Sequence, residues 1–281
     1  MNDVRPKLFV VTVCRNAGLI LPDTLRALPE QDDQWHRYFI IDGASTDDTI
    51  DLARAFASNY PGRVTVISEP DEGIYHAMNK GIKRALVEAA DDDLIALINA
   101  GDAYLPEALN RMVEAAQAHP AVDVFYGDCV LVDETNKPTG RVRTSQSVLP
   151  SSPDCFEMPL EHQTMCVRAH VYRHLGLYDE SYRIAADYEF ILRLIAQKVP
   201  TMHVGASVTA FREGGVSMTA LDDSYQEMIR ARIAHGASPF LENARFLKQK
   251  TNEFLYAHLK SIPAVTRTYE KHQRRNARKT T

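Results

Sequence analysis

Cysteine is scarce in this 281-residue chain: Cys14, Cys129, Cys155 and Cys166 are all there is, and Trp35 is the sole tryptophan. No two cysteines have the two-residue spacing of a zinc ligand pair or a redox motif, which excludes a disulfide scaffold and a zinc-stapled fold. They read as the reduced, buried thiols of a cytoplasmic protein. No stretch approaches the ~20 apolar residues of a membrane helix, and the apolar run Leu8 to Cys14 is broken by Arg15 and Asn16 before it reaches signal-peptide length. Glycine-rich phosphate loops are missing as well. Neither Gly-x-Gly-x-x-Gly after the first apolar run nor a Walker-type Gly-Lys-Ser/Thr loop occurs, so the two commonest ways of cradling phosphate on backbone amides are excluded.

The remaining composition is that of a globular protein, 45% hydrophobic and 25% charged, which excludes collagen-like and disordered classes. The length suits one large domain, or one domain with an appendage. The net charge is −5, unevenly spread. Arg267, Lys271, Arg274, Arg275, Arg278 and Lys279 face Glu270 alone in a basic tail, so the body before it is acidic. An acidic body excludes nucleic acid as a partner. The tail is either a solvated stretch or a contact for an anionic membrane surface.

Two periodicities alternate through the first hundred residues. Apolar, β-prone runs at Leu8 to Cys14, Trp35 to Ile41, Val64 to Ser68 and Leu94 to Ile98 are separated by helical patterns near Leu19 to Leu28, after Ser45, and from Gly73 to Ala90. Strands apolar on both faces and separated by helices predict an α/β fold with a parallel sheet covered on each side. A helix is expected from Tyr104 to His119. Shorter strands at Val122 to Tyr126, Cys129 to Val132 and Gly140 to Arg143 predict a mixed or antiparallel completion of the sheet. A Pro/Ser-rich loop, Pro150 to Asp154, precedes a helix from Ile184 to Gln197, and Asp222 to His258 is helical again.

Ligands of an open parallel sheet bind beyond the carboxyl ends of its strands. Here those ends carry Thr12 to Asn16, Asp42 to Asp47, Glu69 to Gly73 and Asn99 to Asp102. Ser45, Asp47 and Asp102 are each good helix caps, but four polar strand ends in succession point to a ligand. Carboxylates would repel a diphosphate unless a divalent cation, Mg²⁺ or Mn²⁺, bridged the two.

The runs Phe9 to Asn16, Ile41 to Thr49, Ser68 to Gly81 and Leu97 to Asp102 resemble, in order and spacing, the inverting family 2 glycosyltransferases, and within them a subgroup that builds bacterial surface polysaccharides. The likeness covers about residues 7 to 217. It implies a GT-A fold, a Rossmann-like and mostly parallel central sheet flanked by helices, over residues 1–219, followed by a C-terminal helical extension with the basic tail over 220–281. It implies that Asp42 meets the nucleotide base, with Thr12, Arg15, Asn16, Ser45, Glu72, Asn79 and Asn99 completing the donor nucleotide site. Asp102 would hold the divalent metal on the donor diphosphate. Asn99 and Gly101 stand where many members carry acids.

The run Ala186 to Leu194 resembles the segment that supplies the catalytic base, with Asp187 in the base position and Ala186 in place of a common Glu. The alternative is that Asp187 simply caps its helix. His162 and Gln163 resemble a pair lining the acceptor or sugar pocket, and Phe211 to Ser217 a segment closing over the diphosphate, with Arg212 offering a cation to the leaving group. The resemblance thus implies an inverting, metal-dependent transfer from a nucleotide-diphospho-sugar to a saccharide or lipid-linked acceptor. Such an enzyme would be cytoplasmic, with the tail able to hold it on the inner face of the cell membrane. The departures at Asn99, Gly101 and Ala186 leave a catalytically degenerate nucleotide-sugar-binding scaffold as the alternative. A sugar-nucleotide-forming nucleotidyltransferase is disfavoured because Arg15 to Gly18 is too short and too weakly basic to hold a triphosphate. Tyr225, Met228, Ile229 and Ile233 form a helical stripe that can serve as core or as a homodimer surface.

Overall fold

A computed structural model describes residues 5–31, 33–153, 158–212 and 221–259. Four strands, β1 (Leu8–Cys14), β2 (Arg37–Asp42), β3 (Val64–Ser68) and β4 (Leu94–Asn99), lie parallel in the order β3-β2-β1-β4. The connections between them are α1 (Leu21–Ala27), α2 (Thr49–Ser58) and α3 (Ile74–Glu88). Residues on β1 alternate between two cores, as a strand buried on both faces must. Phe9, Val11 and Val13 face one core and Leu8, Val10 and Cys14 the other. Each such side chain, fully buried, contributes about 1.5–3 kcal/mol. Gly81 lets α3 come close to β1, because a Cβ there would lie 2.2 Å from a methyl of Val11.

Beyond β4 the sheet becomes mixed. The stretch from Tyr104 to His119, expected to be one helix, opens on the end of strand β5 (Ala103–Tyr104) and then forms helix α4 (Ala108–Ala118). The early residues extend instead because Ala103 and Tyr104 pair with the last strand, β9 (Thr201–Arg212). The two short strands expected around Gly127 are one, β6 (Val124–Val132), paired in parallel with β9 through a bulge at Asp128. Gly127 there marks a close backbone approach, since a Cβ would sit 2.4 Å from the Ala206 carbonyl, rather than a turn. Strand β7 (Pro138–Arg143) hairpins onto β6, and β8 (Cys166–Arg168) joins β4 to β6 antiparallel to both. Helices α5 (Ala169–Leu175) and α6 (Ala186–Ala196) pack on the first core.

The C-terminal pattern forms α7 (Leu221–Ala234) and α8 (Pro239–Leu259). Ile229 and Ala231 of α7 are buried, and Met228 packs against the same core as α6. The expected boundary at 219/220, the basic tail and Cys155 lie outside the described residues. Cys14, Cys129 and Cys166 are buried free thiols. Among the described residues no helix is long and apolar enough to cross a membrane.

Candidate functional site

The parallel strands end on one edge of the sheet, and the polar residues there brace one another. Asp42, wholly buried at the end of β2, accepts hydrogen bonds from the Ser45 amide at 3.1 Å, the Ser45 hydroxyl, and the Ser68 hydroxyl at 2.6 Å. The loop after β1 is tied to the loop after β2 through three successive amides. Asn16 donates to Ser45 Oγ at 2.8 Å, Ala17 to Thr49 Oγ1 at 2.7 Å, and Gly18 to Asp47 Oδ2 at 2.9 Å. Asn16 is in the left-handed region (φ 48°) and its own Oδ1 accepts from the Thr46 amide at 2.9 Å. Hydrogen bonds to Thr49 and Gly18 hold Asp47 below the usual carboxylate range. Burial, reinforced by the Asp42 charge, pushes the Cys14 thiol up to about 12.

Not every sequence candidate lines this edge. Thr12 is fully buried and its hydroxyl accepts from Tyr38 at 2.9 Å, so it backs the site from within the sheet. Asn79 is buried and its amide is spent on the loop before α6: Nδ2 donates to the Tyr178 carbonyl at 2.9 Å and Glu180 at 2.7 Å, and Oδ1 accepts from the Tyr178 amide at 3.0 Å. Arg15 and Glu72 are exposed at the loop tips.

Asp102 lies just past β4 and is 5% exposed. The expected helix cap is not its role, since α4 begins six residues later. Its Oδ1 accepts from the Arg212 backbone amide at 3.0 Å. Burial, opposed by that hydrogen bond, pushes its carboxyl up to about 7. Gly101 (φ 99°) supplies a turn that a side chain would strain, and Thr24 fixes it by accepting from the Gly101 amide at 2.9 Å and donating to the Asp102 carbonyl at 2.7 Å. The Arg212 guanidinium is engaged by Asp23 at 3.0 Å and by the Glu134 carbonyl.

A second cluster joins three distant segments. His162, on the 3₁₀ turn His162–Thr164, has Nδ1 3.1 Å from Asp187 Oδ2. Asp187 Oδ1 lies 3.0 Å from the Tyr75 hydroxyl and accepts from the Tyr188 amide at 2.8 Å. The helix α6 takes Ala185 as its N-cap, without a side-chain cap, so the Asp187 carboxylate is directed into this cluster. Burial opposes protonation of His162, but the hydrogen bond and charge of Asp187, with the charges of Asp102 and Glu161, outweigh it and raise its pKa. On the other side of the ring, Asn99 Nδ2 is 3.4 Å from Nε2 while buried Asn99 Oδ1 has no partner among the described residues. A half-turn of that amide gives an imidazolium Nε2–H its acceptor. Neighbouring Gln163 is 1% exposed, and neither of its amide atoms has a partner among the described residues.

The structure therefore gathers Asp42, Ser45 and Asn16 in one group, and Asn99, Asp102, His162, Asp187 and Arg212 around the ends of β4 and β9. Sequence reading missed Tyr75, Thr24 and Ser68. Tyr75 and Ser68 lie inside runs already singled out, but only the fold shows where their hydroxyls go. Among the described residues no three His, Cys, Asp or Glu side chains converge as a metal cage.

Residues 9–174, more than half the chain, match the family described as Glycosyl transferase family 2. The chain belongs to this family. Among curated proteins, this glycosyltransferase is 28% identical over 227 residues to a PGL/p-HBAD biosynthesis glycosyltransferase of Mycobacterium bovis, covering 78% of this chain and 82% of that one. Its fold is similar to that of S. aureus TarS residues 1–349 in complex with UDP-GlcNAc, with TM-score 0.61, 15% identity, and coverage of 90% and 73%. The chain spans 43% of the longer TarS chain. It is also similar to the mannosyltransferase PcManGT from Pyrobaculum calidifontis in complex with GDP-Man and Mn²⁺, with TM-score 0.55, 16% identity, and coverage of 93% and 84%. These neighbours make the fold GT-A.

Proposed function

We propose that this glycosyltransferase moves a sugar from a nucleotide-diphospho-sugar to a hydroxyl of a saccharide or lipid-linked acceptor, with inversion at the anomeric carbon, in building a bacterial surface glycan. The observation that carries this reading is the Asp187 carboxylate, buried in the first turn of α6 beside His162 and Tyr75. The nucleotide sugars bound by the structural neighbours and the named role of the mycobacterial relative support the donor class and the setting.

The donor's nucleoside would lie over Asp42, Ser45 and Asn16, and its diphosphate near Asp102 and Arg212. Asp187 accepts the acceptor's hydroxyl proton while the oxygen attacks the anomeric carbon from the face opposite the diphosphate. The bond from that carbon to the phosphate oxygen breaks and the nucleoside diphosphate departs with the electron pair. Tyr75 and His162 orient the base, and the raised proton affinity of His162 lets the pair share the proton it receives.

Asp102 fits a divalent cation as a single ligand. One buried carboxylate suffices where substrate phosphates supply the other oxygens, and a group pushed up to about 7 exchanges its proton for a cation near neutrality. When bound, Mg²⁺ or Mn²⁺ would neutralise charge on the leaving diphosphate. The basic stretch Arg267 to Lys279 suits an anionic membrane surface on which lipid-linked acceptors lie.

The test is a comparison of Asp187→Asn with wild type. Nucleoside diphosphate binding should be kept while sugar transfer, or hydrolysis of the donor by water, collapses. Full turnover in the variant would remove Asp187 from the base position.

A further inference from the structure

Asp187 and the helix α7 both lie beyond the residues that match the family, and they are joined by one side chain. Glu227 of α7 accepts hydrogen bonds from three consecutive backbone amides immediately before α6. Oε1 takes the Arg183 amide at 2.9 Å, and Oε2 takes Ile184 at 2.8 Å and Ala185 at 3.0 Å. These amides precede the helix and so have no carbonyl of a preceding turn to bond. Three successive N–H groups converging on an anion form a nest, here filled by a carboxylate of the same chain. Such charge-assisted bonds are the strong ones.

The anchored segment needs an external hold. Its last residue, Ala185, is the N-cap of α6 and has no side chain able to cap. The carboxylate of Glu227 supplies negative charge beside that helix N-terminus. Ile184 is also gripped on its other side, its carbonyl accepting from the Tyr75 hydroxyl at 2.6 Å, the same hydroxyl that stands 3.0 Å from Asp187. Ile184, three residues before Asp187, is therefore fixed at its N–H by α7 and at its C=O by α3.

The helix that carries Glu227 is itself docked around this segment. Arg230 donates to the Ser181 carbonyl at 2.8 Å and lies 3.8 Å over the Tyr182 ring, and His235 Nε2 is 3.1 Å from Glu189 Oε1. Contacts from α7 and from His235, the residue that follows it, thus fall on both sides of Asp187, and Ile229 and Ala231 seat the helix in the core.

We infer that Glu227 is a positioning residue for the transfer reaction: through the amides of residues 183–185 it sets the entry of α6 and hence the place of Asp187. The C-terminal helix α7 is on this view a strut of the active site, not an appendage for membrane or partner. The inference rests on Asp187 acting as base. A carboxylate misplaced by about 1 Å can cost roughly 100-fold in rate, so the strut acts on turnover rather than on donor affinity.

The experiment uses the full chain and the variants Glu227→Gln, Glu227→Asp, Asp187→Asn, and Glu227→Gln with Asp187→Asn. It reads donor hydrolysis, donor affinity by calorimetry, and amide hydrogen exchange of the peptide containing residues 183–188. Glu227→Gln should lower kcat by about 10–100-fold with donor affinity unchanged and with faster exchange in that peptide. Added to Asp187→Asn it should cause no further loss, because it works through that residue. Glu227→Asp keeps the charge while withdrawing the carboxylate by one methylene, and decides the matter if the Gln variant does not fold: kcat should fall at unchanged melting temperature. Wild-type kcat in Glu227→Asp or Glu227→Gln, or an equal further loss in the Asp187→Asn background, overturns the inference. Undiminished turnover in Asp187→Asn alone would instead remove the base assignment on which it rests, a result read without any change at Glu227.

Discussion

His162 and Asp187 meet ring nitrogen to carboxylate at 3.1 Å in a pocket that leaves each side chain 12% exposed. The contact raises the pKa of His162 above 6.5 despite its burial. A raised imidazole pKa means that the folded chain holds a proton the unfolded chain has released. The pair's contribution to stability is therefore complete below about pH 6.5 and is lost as pH rises through the raised value. Titration of the His162 ring by NMR should give a midpoint above 6.5 in the wild type and a lower one in Asp187→Asn.

The same pair governs the rate. With His162 protonated the cluster already holds the proton it must receive, so turnover should rise with pH through the raised His162 midpoint to a plateau. A pH–rate profile of donor hydrolysis checks this, and a rate that falls across that interval would count against Asp187 as base.

Removing the base should cost about 10²–10⁴-fold in turnover. Tyr75→Phe deletes one hydrogen-bond donor beside it and should cost roughly tenfold, about 1–2 kcal/mol of barrier. Steady-state kinetics on both proteins, with donor affinity measured alongside, separates these losses from misfolding.

At Asp102 a proton and a cation compete for one carboxylate pushed up to about 7. Mn²⁺-dependent affinity for a nucleoside diphosphate should therefore strengthen from about pH 6 to about pH 8 and release a proton on binding. Calorimetry in buffers of different ionisation enthalpy measures both. Asp102→Ala should abolish the metal dependence.

Asn79 holds three hydrogen bonds to the 178–180 loop. Asn79→Ala leaves buried groups there unpaired and should destabilise the fold by about 2–3 kcal/mol. Denaturant unfolding measures the loss, while nucleotide affinity of the folded variant should be retained.

Much of this was legible in sequence because parallel strands buried on both faces write themselves as unbroken apolar runs. Leu8 to Cys14 and Val64 to Ser68 match observed strands to the residue. The mixed half of the sheet was harder. Gly127 and Asp128 fall between two expected strands, and only the approach of β9 joins them through a bulge. Tyr104, expected to open a helix, extends with Ala103 because Thr209 and Ala210 stand opposite. At the site, Asp42, Asp102 and Asp187 stand at the strand ends and the helix start that the sequence pattern marks. Asn79 was misjudged because an amide suited to a nucleotide is equally suited to a loop. Glu227 could not be found from spacing at all, since a surface glutamate on a helix carries no sign of the three amides it meets 42–44 positions away.

Inversion driven by Asp187 is read out in the anomeric form of the released sugar. A panel of uridine, guanosine and thymidine diphosphosugars is incubated with the enzyme and Mn²⁺, and the first sugar released is observed by proton NMR before it mutarotates. One donor should be hydrolysed slowly to a sugar of inverted anomeric configuration, and the signal should vanish in Asp187→Asn. Release with the donor's configuration retained would contradict the mechanism, and binding of a donor with no turnover, by water or by acceptor, would leave the chain as a nucleotide-sugar-binding scaffold.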